Sequence, residues 1–420
     1  MSADSNKAAA SSVQVVNFGC RVNLVEAEAL RQSALAQGRN NLVIINSCAV
    51  TTEAVRQIRQ TIRRLKREDP QSEIVVTGCA AQIDPQSFAA MPEVARVLGN
   101  AEKLRPDAFA RGRNSRVTVG DILSLKESDL PSVEGIEDHS RAFLAIQTGC
   151  DHRCSFCIIP FGRGPSRSMP LPQLLDAVAR CMAKGFREVV LTGVDLTAYG
   201  KDLPQARSLG YAVKQILASA PELARLRLSS IDCIEADEDL LDAMANERRL
   251  MPHLHLSLQS GDDLILKRMK RRHSRADAVE FCAALRRVRP DIVFGADLIA
   301  GFPTESEAMF ENTLALVEDC GLTHLHVFPF SPRPGTPAAR MPQLASGVAR
   351  ERAKRLRMAG EKALRRHLNA QIGKTLPLLS ERGGIARAAD FTRVRIADIT
   401  AGQMIESEII GHDGEMLLVS

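Results

Sequence analysis

The stretch GCDHRCSFCIIP, residues 149–160, places three cysteines within a span of eight residues. Cys150, Cys154 and Cys157 follow the apolar run FLAIQ, which has the composition of a buried strand. Thiolate sulfur is the usual ligand of iron–sulfur clusters, and it also binds structural zinc. Such sites usually take four protein ligands. The loop therefore predicts either a fourth ligand elsewhere in the chain or a metal site with one open position.

Strand-like and helix-like segments alternate around and after this loop. The strand-like segments are FLAIQ, REVVLTG, ARLRLSS, HLHLSLQ, IVFGADLI and THLHVFPF. Six parallel strands with intervening helices predict a (β/α) barrel or partial barrel over residues 141–370. In such barrels the chemistry lies at the carboxyl ends of the strands, which is where the cysteine loop falls.

The amino-terminal region, residues 13–123, repeats one arrangement three times. The β-branched runs VQVVNF, LVIIN and EIVVT each lead to a cysteine, at Cys20, Cys48 and Cys79. Such runs are typical of strands buried on both faces, and the segments between them have helical periodicity, so this region predicts an open parallel α/β sheet. Because sites in these sheets form at the carboxyl ends of the strands, the three cysteines are expected to converge.

The remaining segments predict a linker, a basic helix and a small β-domain. Residues 124–140 are polar and aperiodic, as an interdomain linker would be. Residues 347–368 form a helical pattern with eight Lys or Arg against two Glu, which is typical either of a solvated face or of an RNA-binding one. Residues 371–420 alternate between apolar and polar positions and predict a small antiparallel β-barrel that binds RNA.

Composition excludes a membrane protein and favours the cytoplasm. The chain has 420 residues, with 45% hydrophobic and 25% charged, as in a globular protein of two or three domains. No stretch approaches the roughly 20 apolar residues of a membrane span. Residues 1–12 lack the apolar region of a signal peptide and predict a disordered leader. In the cytoplasm, ten cysteines are better explained as metal ligands or core thiols than as disulfides.

The cysteine loop resembles that of the radical S-adenosylmethionine (SAM) enzymes. The resemblance implies that Cys150, Cys154 and Cys157 hold a [4Fe–4S] cluster whose fourth iron is left for SAM. It also implies that an aromatic residue, Phe156, contacts the adenine of SAM, although simple core packing is the alternative. Further SAM contacts are expected at the ends of two barrel strands, where polar residues also serve as helix caps. These are Thr192, Gly193, Asp195, Ser257 and Gln259.

The whole chain resembles the methylthiotransferases among the radical SAM enzymes. The matching segments are GCRVN, INSCAVT, TGCAAQ, RGPSRS, LTGVDL, LHLSLQSGDDLILKRMKR, DLIAGFPTES and FPFSPRPGTPAA. The resemblance implies that Cys20, Cys48 and Cys79 hold a second [4Fe–4S] cluster that carries sulfur, and that the carboxy-terminal domain is TRAM-like. It implies two SAM molecules per turnover, one as radical source and one as methyl donor. An external electron donor such as flavodoxin or ferredoxin is also implied.

The segments FGCRVNLVEAEAL and INSCAVTTEA resemble the corresponding segments in the branch of the family that modifies N6-threonylcarbamoyladenosine. The expected reaction is addition of a methylthio group to C2 of that nucleoside at position 37 of tRNA. The alternatives within the family are N6-isopentenyladenosine in tRNA and an aspartate of a ribosomal protein. An alternative of another class is a non-catalytic protein that binds zinc and RNA.

Two further groups of residues carry no strong functional signal. Cys181, Cys233, Cys282 and Cys320 are expected to be core or surface thiols. His253 and His255 alternate with leucine on one strand and so share a face. They are either polar residues that line the barrel or structural histidines with satisfied hydrogen bonds, and the sequence leaves both open.

Overall fold

The computed structural model describes residues 13–112, 115–125, 130–131, 133–136, 139–397 and 399–419. The predicted leader, residues 1–12, lies outside the described residues, as do residues 126–129, 132 and 137–138 of the predicted linker. The chain divides into two compact units: Met1–Leu125 with Phe161–Gly164, and Lys126–Pro160 with Pro165–Ser420. In the described part of the chain, no helix is long and apolar enough to cross a membrane.

The first unit is built on a five-stranded parallel sheet in the order β1-β2-β3-β4-β5. Its strands are β1 Val13–Asn17, β2 Leu42–Ser47, β3 Glu73–Gly78, β4 Arg96–Leu98 and β5 Val117–Thr118. Every residue of β2 is buried, because helices cover a parallel sheet on both faces. The predicted open parallel sheet is therefore confirmed.

The helices of the first unit follow the strands. They are α1 Arg21–Ala36, α2 Thr52–Glu68, α3 Cys79–Ile83 and α4 Pro85–Ala89. In α2 the buried residues Ile58, Ile62 and Leu65 recur at intervals of four and three, so one apolar stripe faces inward. The hydroxyl of Thr51 caps this helix by accepting a hydrogen bond from the Ala54 amide at 3.1 Å.

The second unit contains a half-barrel made of two parallel sheets, β10-β9-β6 and β11-β12-β13-β14. The strands are β6 Ala142–Ala145, β9 Glu188–Thr192, β10 Arg225–Leu228, β11 Ser230–Ile231, β12 His253–Gln259, β13 Val293–Ala300 and β14 Leu322–Pro329. The predicted strand ARLRLSS is interrupted at Ser229, where one sheet passes into the other. A short antiparallel pair, β7 Gln147–Thr148 and β8 Arg167–Ser168, flanks the cysteine loop. The predicted partial barrel is thus confirmed.

Helices connect the strands of the half-barrel. They are α5 Ile159–Arg163, α6 Leu171–Ala183, α7 Leu209–Ser219, α8 Glu238–Asn246, α9 Asp263–Met269, α10 Arg275–Val288, α11 Glu307–Asp319 and α12 Ser346–Asn369. Single 3-10 turns span Glu102–Leu104, Ile122–Ser124, Leu196–Ala198, Cys233–Glu235 and Pro337–Arg340.

The two faces of the half-barrel differ in character. On β12 and β13 every second residue is apolar and packs into one core with the helices: Leu254, Leu256, Leu258, Phe294, Ala296 and Leu298. Strand alternation turns the intervening residues to the opposite, inner face. These are His253, His255, Ser257 and Gln259 on β12, Gly295 and Asp297 on β13, and His324 and His326 on β14.

The carboxy-terminal strands close into a small barrel in the order β15-β16-β17-β19-β18. They are β15 Thr375–Glu381, β16 Ile385–Ala388, β17 Arg393–Arg395, β18 Met404–His412 and β19 Leu417–Val419. All pairs are antiparallel except β17 with β19, which closes the barrel in parallel. The predicted small β-barrel is confirmed with this one difference.

The small barrel packs against the amino ends of the half-barrel strands through Phe391. The ring of Phe391 stacks on His253 with centroids 4.8 Å apart, and the guanidinium of Arg227 lies 5.1 Å from its centre. Arg225 at the start of β10 donates hydrogen bonds to the carbonyls of Pro377 and Arg387. The amino end of the half-barrel is thereby covered, and its carboxyl end is the end where the cysteine loop begins.

Candidate functional site

The three cysteines of the first unit lie at the carboxyl ends of neighbouring strands. Cys20 precedes α1, Cys48 follows β2, and Cys79 begins α3 directly after β3. Ser47 and Gly78 pair in register, so Cys48 and Cys79 leave adjacent strand ends together. Burial, with a smaller contribution from the thiols of Cys79 and Cys20, raises the pKa of Cys48 to about 11. Both other thiols therefore lie within electrostatic reach of Cys48.

Glycine at position 78 permits the turn that presents Cys79. Gly78 has φ of +92°, a conformation that L-residues with side chains rarely adopt. A Cβ atom there would lie 2.4 Å from the carbonyl oxygen of Ser47. Any side chain at this position would push Cys79 away from the strand end.

A buried ionic cluster of Glu26, Lys103 and Arg163 lies beside these cysteines. Arg163 donates two hydrogen bonds to the Glu26 carboxylate, at 2.9 and 3.0 Å, and one to Oδ1 of Asn23 at 2.7 Å. Nζ of Lys103 lies 2.7 Å from the same carboxylate. The side chains of all three cluster members are at most 4% exposed. Burial, and then the Arg163 charge, lower the pKa of Lys103 against the opposing effect of Glu26. With Lys103 protonated, the cluster contains two cations and one anion and so carries one excess positive charge.

This charge acts on the thiols. Burial would raise the pKa of Glu26, but Arg163 and Lys103 outweigh burial and hold that pKa at about 2. Burial likewise opposes the charged form of Arg163, but Glu26 together with the thiols of Cys79 and Cys20 keeps its pKa well above the ordinary value. The guanidinium is therefore in electrostatic contact with the cysteine site as well as with its carboxylate partner.

Sequence reasoning assigned no role to this cluster. Arg163 begins the motif RGPSRS, yet nothing in that motif pairs it with a residue 137 positions earlier. A usable signal was the spacing of Asn23 and Glu26, which places both on one face of the helix after Cys20.

The cysteine loop of the second unit is anchored by a residue between its cysteines. Ser155 is 1% exposed, and its amide donates to the carbonyl of Met269 at 3.0 Å while its hydroxyl donates to that of Arg268 at 2.7 Å. The Ser155 carbonyl accepts from the Ala338 amide at 2.9 Å. No local sequence pattern indicates this anchor, which fixes the loop backbone while Cys150, Cys154 and Cys157 stay partly exposed.

Asp195 lies directly beside the loop. Its Oδ2 accepts from Sγ of Cys150 at 3.4 Å and lies 3.0 Å from Nε2 of His152, which is also 3.5 Å from Glu235. The carboxylates of Asp195 and then Glu235, as acceptors facing the imidazole, raise the pKa of His152 to about 9. Burial, and then the Asp195 charge, raise the pKa of the Cys150 thiol far above its ordinary value. A thiolate at Cys150 therefore needs a nearby cation.

Thr192 and Gly193 lie at the end of β9, where Gln147 shapes the turn. Oε1 of Gln147 accepts hydrogen bonds from the amides of Val194 and Asp195 at 2.9 and 2.8 Å. A Cβ atom on Gly193 would lie 2.9 Å from that oxygen. Thr192 itself is buried. Gln147, which sequence reasoning missed, thus orients the segment that carries Asp195.

The other predicted SAM contacts lie on the inner face or near it. Ser257 and Gln259 are half-buried near the carboxyl end of β12, and the Ser257 carbonyl accepts from Arg271 at 2.6 Å. Phe156 is partly buried and packs on an apolar cluster formed by Ile265, Met269, Ile299, Phe302 and Ala338. The packing expected as the alternative for Phe156 is therefore present.

The four remaining cysteines, Cys181, Cys233, Cys282 and Cys320, are all buried. They belong to the apolar core of the second unit, and Cys282 shares a hydrogen bond with Cys320. Each acts as a core thiol.

Two protein-family models match the chain. The Radical SAM superfamily matches residues 144–317, and an uncharacterized protein family, UPF0004, matches residues 12–99. The solved structure of the radical SAM methyltransferase TsrM from Kitasatospora setae, with cobalamin and a [4Fe-4S] cluster bound, is similar with a TM-score of 0.56. It is 15% identical and covers 79% of this chain and 77% of that chain, so this likeness shows the fold alone.

Curated relatives match almost the whole chain. Threonylcarbamoyladenosine tRNA methylthiotransferase MtaB of Rickettsia prowazekii is 47% identical over 97% of this chain and 97% of the relative. MtaB of Thermotoga maritima is 36% identical over 88% of this chain and 86% of the relative. The tRNA-2-methylthio-N(6)-dimethylallyladenosine synthase of Agrobacterium fabrum is 33% identical over 89% of this chain and 87% of the relative. The chain therefore belongs to the radical SAM methylthiotransferase family, in the group of relatives named MtaB.

Proposed function

We propose that the chain adds a methylthio group to C2 of N6-threonylcarbamoyladenosine at position 37 of tRNA, using SAM and two [4Fe–4S] clusters. The observation that carries this proposal is the presence of two separate sets of three cysteines, one at the carboxyl ends of neighbouring parallel strands and the other in the single loop that follows β6 and β7. The 47% identity to a relative of that name supports the choice of substrate.

Cys150, Cys154 and Cys157 would hold the cluster that binds SAM. They fit this role because the loop backbone is fixed at Ser155 while the thiols stay partly exposed. The depressed acidity of Cys150 also fits, since a thiolate beside Asp195 requires the positive charge of bound iron. Contacts to SAM are assigned to the residues at the strand ends around this loop: Phe156, Thr192, Gly193, Asp195, Ser257 and Gln259.

Cys20, Cys48 and Cys79 would hold the second cluster. Three thiolates and a cluster carry negative charge, and the excess positive charge of Glu26, Lys103 and Arg163 is placed to offset it. When bound, the clusters and SAM supply reductive cleavage of SAM and delivery of sulfur. The chain positions them, excludes bulk water from the buried charges and holds Asp195 against His152.

The tRNA would bind the basic surface formed by α12 and the small barrel. Three arginines of α12 are already paired with acidic residues, which lie on α11 or just before it: Arg352, Arg355 and Arg366. A second set on α12 is exposed and recurs at helical spacing, along one stripe: Arg350, Lys354, Arg357 and Arg365. Phosphate contacts from such a stripe give affinity that falls as salt rises.

Deletion of the gene tests the proposed substrate. Nucleoside mass spectrometry of tRNA from the deletion strain should show loss of the 2-methylthio mark from N6-threonylcarbamoyladenosine, while the dimethylallyl counterpart keeps it. Restoration by the wild-type gene, but not by Cys48→Ala, would support the assignment. Loss from the dimethylallyl nucleoside alone, or no change in tRNA, would overturn it.

A further inference from the structure

The inner face of the half-barrel carries two imidazoles joined by one carboxylate. Nε2 of His255 and Nδ1 of His326 lie 2.9 and 3.2 Å from the same oxygen, Oδ1 of Asp297. The two rings are 4.4 Å apart between centroids. Because a carboxylate only accepts hydrogen bonds, both of these ring nitrogens carry a proton. We name these three residues the imidazole cluster.

Strand register explains how the imidazole cluster forms. Asp297 on β13 pairs directly with His326 on β14, and His255 on β12 pairs with Gly295. The absence of a side chain at Gly295 gives the ring of His255 its place, since a Cβ atom there would lie 2.6 Å from Nδ1 of His255. His255 thus leans along the strand toward Asp297.

His326 is the exposed member of the imidazole cluster. Its side chain is 60% exposed, against 24% for Asp297 and 7% for His255. Burial alone would raise the pKa of Asp297, but hydrogen bonds from the two histidines outweigh burial and hold that pKa below its ordinary range. The carboxylate is therefore ionised, and it orients the ring of His326 by accepting the hydrogen bond from Nδ1.

The other inner-face histidines do not offer an exposed charge. His253 stacks on Phe391 and is 3% exposed. Burial lowers the pKa of His324 to about 4, so that ring is neutral at pH 7. On strands β11 to β14, all of which lie in the described part of the chain, His326 is the exposed inner-face side chain able to carry positive charge.

The hydrogen bonds leave no position for a metal ion between the three residues of the imidazole cluster. Metal-binding imidazoles direct lone pairs toward an ion, whereas here both nitrogens direct N–H bonds at one carboxylate oxygen. Nδ1 of His326 is engaged by Asp297, which leaves Nε2 on the exposed side of the ring. With protons on both ring nitrogens, His326 can donate a charge-assisted hydrogen bond from Nε2 to a ligand carboxylate.

The two substrate types named among the relatives differ in whether their N6 substituent carries a carboxylate. The threonylcarbamoyl substituent ends in a carboxylate, whereas the dimethylallyl substituent is a hydrocarbon with no charge. We propose that His326, oriented by Asp297, binds the threonyl carboxylate of the modified adenosine and selects it over uncharged N6 substituents. This inference rests on the proposed function, because it takes its ligand from that substrate.

The test compares two fluorescent anticodon stem-loop RNAs bound to the holoenzyme. One carries N6-threonylcarbamoyladenosine and the other its carboxamide, which removes the charge and keeps the shape. The wild type should bind the carboxylate form about 10- to 100-fold more tightly, the effect of one charge-assisted hydrogen bond. His326→Gln should abolish this preference, and His326→Lys should restore part of it.

His139→Gln is the matched control, because His139 is exposed and lies before the amino end of β6; it should keep the full preference. Equal binding of both RNAs by the wild type, or an unchanged preference in His326→Gln, would overturn the inference. So would a stoichiometric divalent ion present in the wild type and lost in His326→Gln. Thiomethylation of the carboxylate RNA by the wild type reports separately on the proposed function, so the two failures are distinguishable.

Discussion

Arg163 and Glu26 form a buried two-point ion pair within the first unit, although 137 residues separate them in the chain. Lys103 contacts Oε2 of the same carboxylate. None of these side chains is more than 4% exposed, so each charge depends on the others for compensation. The pair fixes the segment that contains Arg163 beside the sheet end where Cys20 and Cys79 lie.

Removing the guanidinium should destabilise the first unit. Arg163→Met removes two hydrogen bonds to the buried Glu26 carboxylate and one to Asn23, and breaking this buried ion pair should cost about 3 kcal/mol. Hydrogen exchange of the β1 to β3 amides should speed up accordingly. Arg63→Met, on the exposed face of α2, is the matched control and should change nothing. Equal exchange rates in the two variants would show that the pair is not structural.

Coupling between the two residues has its own test. The double variant Arg163→Met, Glu26→Gln should lose less stability than the sum of the single variants, because each single variant already removes the Arg163–Glu26 interaction and it cannot be lost twice. Lys103 loses its carboxylate partner in Glu26→Gln and in the double variant alike, so that cost cancels from the comparison. Strict additivity would mean that Arg163 acts without Glu26.

The two cysteine sites should separate by function. Cys150→Ala should abolish reductive cleavage of SAM, whereas Cys48→Ala should retain cleavage and lose methylthio transfer. Each variant should hold about half of the roughly eight irons expected for two clusters. Iron analysis under anaerobic conditions and 5′-deoxyadenosine formation provide the two measurements. Full product formation by Cys48→Ala would contradict the assignment of a second cluster.

Stability of the second unit should fall as pH drops from 6.5 toward 4. Burial lowers the pKa of His324 to about 4, so the unfolded chain, with its ordinary value of 6.5, takes up the proton first. Protonation therefore favours unfolding across this range, by at most about 3 kcal/mol. Thermal unfolding at several pH values should show a smaller pH effect in His324→Leu than in the wild type. Equal pH effects in both proteins would exclude His324 as the cause.

Salt dependence should identify the RNA-binding stripe on α12. Removing Arg350, Lys354, Arg357 and Arg365 together should weaken tRNA binding. The slope of log affinity against log salt should become shallower, by the equivalent of up to about four phosphate contacts. The double variant Arg355→Gln, Glu311→Gln keeps the net charge, since this pair already neutralises itself, and should bind as the wild type does. An unchanged salt slope in the first variant would place the RNA elsewhere.

Local patterns predicted much of the fold. The β-branched runs at VQVVNF, LVIIN and EIVVT became β1, β2 and β3, because strand propensity and burial act over a few adjacent residues. The alternation of His253 and His255 with leucine likewise predicted a shared face, which the structure confirms as the inner face of the half-barrel.

Contacts between residues distant in sequence could not be predicted from local patterns. Nothing local links Arg163 to Glu26, or Phe391 to His253, since each pair meets only when separate elements pack. The anchoring of Ser155 by Met269 and Ala338 is of the same kind. Side chains that orient the cysteines therefore come from tertiary packing, whereas the cysteines themselves carry a sequence signal.

Nucleoside mass spectrometry after a single anaerobic reaction tests directly whether the protein transfers a methylthio group to N6-threonylcarbamoyladenosine. The purified protein, reconstituted with iron and sulfide and supplied with SAM and a reductant, receives tRNAs that carry N6-threonylcarbamoyladenosine and N6-dimethylallyladenosine in equal amounts. We expect a 2-methylthio product from the threonylcarbamoyl nucleoside, and its loss in both Cys48→Ala and Cys150→Ala. A product from the dimethylallyl nucleoside alone, or an undiminished product in either variant, would contradict it.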